Sequence, residues 1–224
     1  MNNEQKIIEA IKAGDVEQVK SLIEIDIFLA DATGPDGISA LLTALYHDQE
    51  RIAEIILASA PTLTIHEAAA AGLKDQVESH LADLPEAVAS VSHDGWTPLH
   101  LAVYFNRNAV AELLIARGAD VNAISRNSLG VTPLHSALAN RNSRLGMLLL
   151  RKGADPSEKQ SGVGYTPLHY AAANGMADIV GVLLEREVDV AAETDDGRTA
   201  LAIAREKGEK AVVALLENHG AGNG

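Results

Sequence analysis

A four-residue motif recurs at a nearly fixed spacing in the second half of the chain. Thr-Pro-Leu-His begins at Thr97, Thr132 and Thr166, and a degraded copy, Thr-Ala-Leu-Ala, begins at Thr199. A glycine stands shortly before each copy, and the leucines of successive copies are Leu99, Leu134, Leu168 and Leu201. A period of about 34 residues indicates an array of similar supersecondary units rather than one globule around a single core.

Weaker copies extend the period towards the N-terminus. Ile65 lies one period before Leu99, and Ile7 lies one period before Leu41. Leu41 and Ile65 are closer together than one period, although the helical parts of both units are retained. The missing residues are therefore predicted to come from the connection between these two units, near Ala60-Pro61-Thr62.

The chemistry of the motif predicts a pair of short helices in each unit. Thr97 is a suitable N-cap, Pro98 fits the first helical position, and His100 falls at the third, where a capping box closes. A second helix with an apolar face follows, and Gly118 stands where a left-handed residue ends it. Because so short a pair cannot bury its apolar face alone, successive pairs must stack.

The pattern closely resembles the ankyrin-repeat family over nearly the whole chain. The best unit reads Asp-Gly-Trp-Thr-Pro-Leu-His-Leu-Ala from Asp94, then Glu-Leu-Leu from Glu112, then Gly-Ala-Asp-Val-Asn-Ala from Gly118. This resemblance implies an all-α helix–turn–helix solenoid with short β-turn fingers, here a single domain over residues 1–224. Seven repeats are expected, with approximate bounds 5–35, 36–61, 62–92, 93–126, 127–160, 161–193 and 194–221.

Composition narrows the classes of function. The chain has no cysteine, which excludes disulfides, thiolate catalysis and cysteine-ligated zinc. Its formal net charge is −13, which disfavours nucleic acid and anionic membranes as partners. No apolar stretch is long enough to span a bilayer, and no hydrophobic signal core follows the N-terminus. We therefore expect a cytoplasmic, monomeric protein, while export without an N-terminal signal stays open.

Charge is unevenly distributed along the chain. Residues 1–106 carry 5 basic and 17 acidic side chains, whereas residues 107–152 carry 7 basic and 2 acidic ones. The basic side chains are expected mostly on outer helices and connections, facing away from the groove, with local salt bridges as their role. Those basic residues are Arg107, Arg117, Arg126, Arg141, Arg144, Arg151 and Lys152.

The evenly spaced histidines suggest a metal site, but the expected geometry argues against one. His100, His135 and His169 occupy equivalent positions in successive units. Neighbouring helices lie about 8–10 Å apart, whereas zinc–ligand bonds are about 2 Å long. We therefore interpret each histidine as part of its own helix start. The sequence also matches no catalytic or phosphate-loop template, so no catalytic residue, metal or cofactor is predicted.

The few aromatic residues indicate where a partner would bind. In proteins of this family, the position before the motif threonine and the end of the inner helix line a concave groove, where partners usually bind. Trp96, Tyr104 and Phe105 are predicted to form the centre of a partner-binding patch. Around this centre lie Tyr46, Ile124 and Tyr165. The alternative interpretation is that these rings only brace neighbouring turns.

The resemblance and the aromatic residues together predict a non-enzymatic module that binds a protein or peptide. Two alternatives remain. One is a small-molecule or enzymatic site in the groove, for which the sequence offers His93, Asp94 and Asn106 as polar groups. The other is a scaffold selected only for stability, which the divergent early repeats and the shortened connection disfavour.

Overall fold

A computed structural model describes residues 2–59 and 62–220. Within these residues the chain is all-helical, with fourteen α-helices and isolated β-bridges but no β-strand. The helices are α1 Asn3–Ala13, α2 Val16–Ile25, α3 Ala40–Tyr46, α4 Glu50–Ala58, α5 Ile65–Ala71, α6 Lys74–Asp83, α7 Pro98–Tyr104, α8 Asn108–Ala116, α9 Pro133–Ala139, α10 Ser143–Arg151, α11 Pro167–Ala173, α12 Ala177–Glu185, α13 Ala200–Lys207 and α14 Lys210–Asn218. Two 3-10 helices, Ile27–Asp31 and Pro85–Ala89, follow α2 and α6.

The helices form consecutive pairs that stack into a solenoid. Each odd-numbered helix packs against the even-numbered helix that follows it and against the odd-numbered helices of the neighbouring pairs. We call the odd-numbered helices inner helices and the even-numbered helices outer helices. The predicted all-α helix–turn–helix solenoid is confirmed. The exact bounds of the seven repeats stay a prediction.

The inner helices begin as the motif predicts. In α7, the His100 N–H donates to Thr97 Oγ1 at 3.3 Å, and the Thr97 side chain lies 2.8 Å from His100 Nδ1. His100 Nε2 lies 3.0 Å from the Val131 carbonyl oxygen, so the same ring also links its unit to the next one. His135 and His169 make equivalent bonds. The structural interpretation of the motif histidines is therefore confirmed.

Turn fingers project between most outer helices and the inner helices that follow them. These hairpin-like segments comprise residues 33–39, 92–96, 125–131, 160–165 and 194–199, and in each a backbone hydrogen bond closes the turn. Each of them contains a glycine with positive φ, such as Gly95 at 85°. Such a conformation carries a steric cost for residues with a side chain, which explains the glycine before each motif.

The predicted shortening after the second pair is confirmed. Helix α4 ends at Ala58 and α5 begins at Ile65, so residues 59–64 alone connect them, whereas residues 84–97 connect α6 to α7. Among the described residues of this connection, 59 and 62–64, there is no turn finger. Ala60 and Pro61, where the missing residues were placed, lie outside the described residues.

The buried side chains divide at this shortened connection. One core cluster runs from Ile7 to Leu63, and a second runs from Ile65 to Leu216. A smaller cluster on the groove side spans the division and contains Leu42, Ala70, Trp96, Leu101 and Val131. The first two helix pairs are therefore joined to the rest of the solenoid partly through residues beneath the groove.

Candidate partner-binding surface

Four aromatic rings from three segments of the chain pack together on the inner-helix face. Tyr46 ends α3, Trp96 belongs to a turn finger, and Tyr104 and Phe105 lie at the end of α7. Ring centroids are 6.0 Å apart for Tyr46–Tyr104, 5.3 Å for Tyr46–Phe105, 5.9 Å for Trp96–Tyr104 and 5.0 Å for Tyr104–Phe105. We call this group the aromatic floor. It brings together four of the six residues predicted to bind a partner.

The aromatic floor crosses one helix pair entirely. Tyr46 reaches over α5 to the rings of α7, because α5 presents small side chains such as the fully buried Ala70. The Tyr46 hydroxyl donates to Asp94 Oδ2 at 2.6 Å. Burial, and then this bond to the carboxylate, raise the pKa of Tyr46 well above its usual value. Tyr46 is therefore a neutral donor that joins α3 to the turn finger at 92–96.

Trp96 lies beneath this surface rather than on it. Its side chain is 5% exposed and packs with Leu42, Leu101 and Val131, whereas Tyr104 is 40% exposed. The burial of Trp96 is what the bracing interpretation expects, whereas Tyr104 is the exposed ring of the group. Trp96 at the centre of a binding patch stays a prediction.

A second aromatic pair lies further along the inner helices. The Tyr165 and Tyr170 ring centroids are 5.3 Å apart, and Tyr170 also packs edge-on against His135. The prediction included Tyr165 but missed Tyr170, which stands at the fourth position of α11. Tyr104 of α7 lies on the same face one turn further along, so inner-helix periodicity was the signal that could have identified Tyr170.

A shallow depression of about 120 Å³ connects the two aromatic groups. Trp96 and Tyr104 line one side, and Tyr170 lines the other. Leu129, which is 45% exposed, and Ala139 also contribute to its lining. The depression offers an apolar, aromatic-walled space at the centre of the groove.

The structure places Ile124 apart from these rings. Although 50% exposed, it lines a different depression together with Val88, Val91 and Arg126. No ring of the aromatic floor contributes to that depression. Ile124 is therefore not part of the surface that the aromatic residues form.

The comparison with known proteins agrees with the fold. A family model described as ankyrin repeats (three copies) matches residues 65–160 and residues 140–223. Together these matches cover more than half of the chain. The chain belongs to the ankyrin-repeat family. No curated protein matches the sequence.

Two of the basic residues of this ankyrin-repeat chain, Arg117 and Arg144, form salt bridges of the expected kind. Arg117 pairs with Glu78, and Arg144 pairs with Glu112, so these ion pairs connect neighbouring outer helices. Arg107 differs, because its Nε donates to the Ala70 carbonyl at 2.8 Å and its side chain borders the aromatic floor. The edge of the groove therefore carries one positive charge that was not expected there.

The polar groups proposed for a small-molecule site do not converge. His93 and Asp94 border a cavity between turn fingers, whereas Asn106 lies at the other end of α7, in a depression beside Phe105. Among the described residues, no group of three or more histidine and acidic side chains is placed to hold a metal ion. The same residues include no helix long and apolar enough to cross a bilayer.

Proposed function

We propose that this protein binds a protein or peptide partner across its inner-helix groove. Ankyrin repeats are generally protein-interaction modules, and proteins built from them are typically non-enzymatic scaffolds. The observation that carries the proposal is the continuous aromatic surface of Tyr46, Tyr104 and Phe105, extended by Tyr165 and Tyr170. The partner's identity and the cytoplasmic, monomeric state stay predictions.

The energetics favour this surface as the contact region. Tyrosine is enriched among the interface residues whose truncation costs the most binding energy, and such residues cluster near the centre of an interface. Tyr104 is 40% exposed and held between Tyr46 and Phe105, so its ring is already ordered before a partner arrives. A pre-ordered ring loses little conformational entropy on binding. The depression beside it can accept one apolar side chain of the partner.

Affinity capture from the native lysate tests the proposal. The double variant Tyr104→Ala/Tyr165→Ala removes the exposed ring of Tyr104 and the half-buried ring of Tyr165, and it leaves the buried Trp96 in place. The matched control is Phe28→Ala, which removes an aromatic side chain that is 79% exposed and outside the groove. We expect wild type and Phe28→Ala to retain the same partner and the double variant to lose it, with all three giving the same circular dichroism spectrum. Equal capture by all three proteins would place the binding surface elsewhere.

A further inference from the structure

The inner helix α9 has small side chains at two positions where its neighbours have large ones. At the fourth position of each helix, Ser136 of α9 lies between Leu101 of α7 and Tyr170 of α11. At the seventh position, Ala139 of α9 follows Tyr104 of α7. Ser136 and Ala139 both line the depression of about 120 Å³ at the centre of the groove. We call this depression the α9 notch.

The α9 notch is lined by neutral groups. Among the described residues that line it, none is a lysine, an arginine, an aspartate or a glutamate. Burial lowers the pKa of His135 and raises the pKa of Tyr170, so both of these lining side chains are neutral at pH 7. A charged group that entered the notch would lose its hydration without meeting an opposite charge, which is costly. The notch therefore favours a neutral occupant.

The buried amide and imidazole that line the notch are already paired. The Gln160 side chain accepts from the Tyr170 hydroxyl and donates to the Leu129 carbonyl oxygen. Both ring nitrogens of His135 are hydrogen-bonded, one to Thr132 within its own helix start and one to a carbonyl of the next unit. These two side chains are therefore held in place and have little capacity left for a ligand.

Two other polar groups that line the notch are buried without a partner. Ser136 is 6% exposed and Trp96 is 5% exposed, yet neither the Ser136 hydroxyl nor the Trp96 indole N–H forms a hydrogen bond among the described residues. Every fully enclosed side-chain nitrogen or oxygen of those residues does have a partner, so these two atoms are not fully enclosed. Ser136 therefore offers both a donor and an acceptor to whatever enters the notch.

We propose that the α9 notch binds a tyrosine side chain of the partner. An apolar cavity of about 150 Å³ can hold a benzene molecule, so the notch, which is open at its mouth, has room for one aromatic ring. Tyr104 and Tyr170 stand on either side of that ring, where edge-to-face or offset contacts form. The hydroxyl at the end of the ring pairs with Ser136. The tyrosine anchor rests on the proposed function, because the notch lies in the same groove.

Other side chains fit the notch less well. Basic and acidic side chains bring a charge that nothing in the notch neutralises. Leucine and phenylalanine fill the apolar space, but they leave the Ser136 hydroxyl without a partner and cut it off from water, which costs binding energy. Threonine carries a hydroxyl but is too short to fill the space. Tyrosine satisfies both the aromatic walls and the hydroxyl.

Titration with short peptides tests this proposal. The probe is acetyl-Gly-Ser-Tyr-Ser-Gly-amide, compared with the same peptide carrying phenylalanine or leucine in place of tyrosine. Trp96 is the single tryptophan of the chain and lines the notch, so its indole N–H resonance in a two-dimensional NMR spectrum reports occupancy. We expect a Kd of about 1 mM for the tyrosine peptide, as one anchoring side chain allows. The phenylalanine peptide should bind about tenfold more weakly, because it lacks one hydrogen bond.

Ser136→Ala tests the role of the hydroxyl. This variant removes the unpaired group and keeps the shape of the notch, so it is expected to bind the tyrosine and phenylalanine peptides equally well. A preference for tyrosine that persists in Ser136→Ala would contradict the pairing with Ser136. Equal binding of all three peptides to wild type, or no binding of the tyrosine peptide, would overturn the proposal.

Ala139→Leu tests the place of binding, because its larger side chain fills the notch. It is expected to abolish binding of the tyrosine peptide. The matched control is Ala173→Leu, which makes the same change at the seventh position of α11, outside the lining of the notch. The control should bind as wild type does, and both variants should keep the wild-type circular dichroism spectrum. Equal binding by the two variants would show that the peptide binds elsewhere.

Further outcomes separate this anchor from the groove itself. Binding of p-cresol, the tyrosine side chain without a backbone, but not of the tyrosine peptide would indicate a site for small phenols and overturn the partner's tyrosine as the occupant. If the peptide does not bind while partner capture still depends on Tyr104 and Tyr165, the tyrosine anchor is wrong and the groove proposal stands. If the peptide binds but capture ignores these two residues, the groove proposal is wrong, and the notch does not hold the partner.

Discussion

Single residues show how strongly the repeat motif depends on neutral histidines. Burial lowers the pKa of His100 to about 4, although bonds to the Val131 and Ala123 carbonyls and the charge of Asp120 act in the opposite direction. The Thr97 N–H donates to Nδ1 of the His100 ring, and Nε2 of the same ring donates to the Val131 carbonyl oxygen. These partners assign the single ring proton to Nε2. Nδ1 accepts a hydrogen bond, so it has no place for a second proton.

These histidines make the fold sensitive to acid. In the unfolded chain His100 takes up its proton near pH 6.5, whereas in the folded chain it does so near pH 4. The neutral His100 therefore contributes about 3 kcal/mol to the free energy of unfolding above pH 6.5, and this contribution is lost as the pH falls towards 4. Urea unfolding of wild type and His100→Gln at pH 7.5 and pH 5 measures this. The glutamine variant should lose less stability between these pH values, and an equal loss would contradict the assignment.

Trp96 provides a second prediction for a single side chain. Replacing it with alanine should lower the free energy of unfolding by about 3–5 kcal/mol, because a large buried ring leaves a cavity. Phe28→Ala, at an exposed position, should change it by less than about 0.5 kcal/mol. Denaturant unfolding at pH 7.5 compares the two. A small effect of Trp96→Ala would contradict the bracing interpretation of this residue.

At the scale of helices and connections, local signals predicted the structure well. Thr97, Pro98 and His100 specify a helix start through bonds within a single helical turn, so their pattern could be interpreted without knowing the fold. The contact between Tyr46 and Tyr104 could not be predicted in this way. It depends on the small residues of α5 and on the missing finger, which only the assembled stack brings together.

Helix α5 should tolerate large side chains less well than its counterpart in a later repeat. Ala70 is fully buried beneath the aromatic floor, whereas Ala139, the last residue of α9, is exposed. Ala70→Leu is expected to destabilise the protein by about 1–3 kcal/mol through overpacking. Ala139→Leu should change stability by less than about 0.5 kcal/mol. Equal effects in thermal and urea unfolding would show that Tyr46 does not depend on the small face of α5.

Over the whole molecule, the repeat period predicted the architecture, but not how tightly its parts are coupled. The buried side chains separate into a cluster ending at Leu63 and another beginning at Ile65. A solenoid is held together mainly by contacts between neighbouring units, so a weaker join can divide its unfolding into steps. The spacing of Leu41 and Ile65 located this join. The aromatic side chains that strengthen this join could not be predicted, because their contacts link residues distant in sequence.

Native-state hydrogen exchange can measure this coupling. Tyr46 links α3 to Asp94 and to the rings of α7, so Tyr46→Ala should weaken the join between the first two helix pairs and the rest. Amides in α1–α4 should then exchange faster than in wild type, while those in α9–α14 should keep their protection, because partial opening follows the weakest contacts. A uniform increase along the chain would show that the solenoid unfolds as one unit. Faster exchange confined to α13 and α14 would show that the C-terminal end, rather than the shortened connection, limits stability.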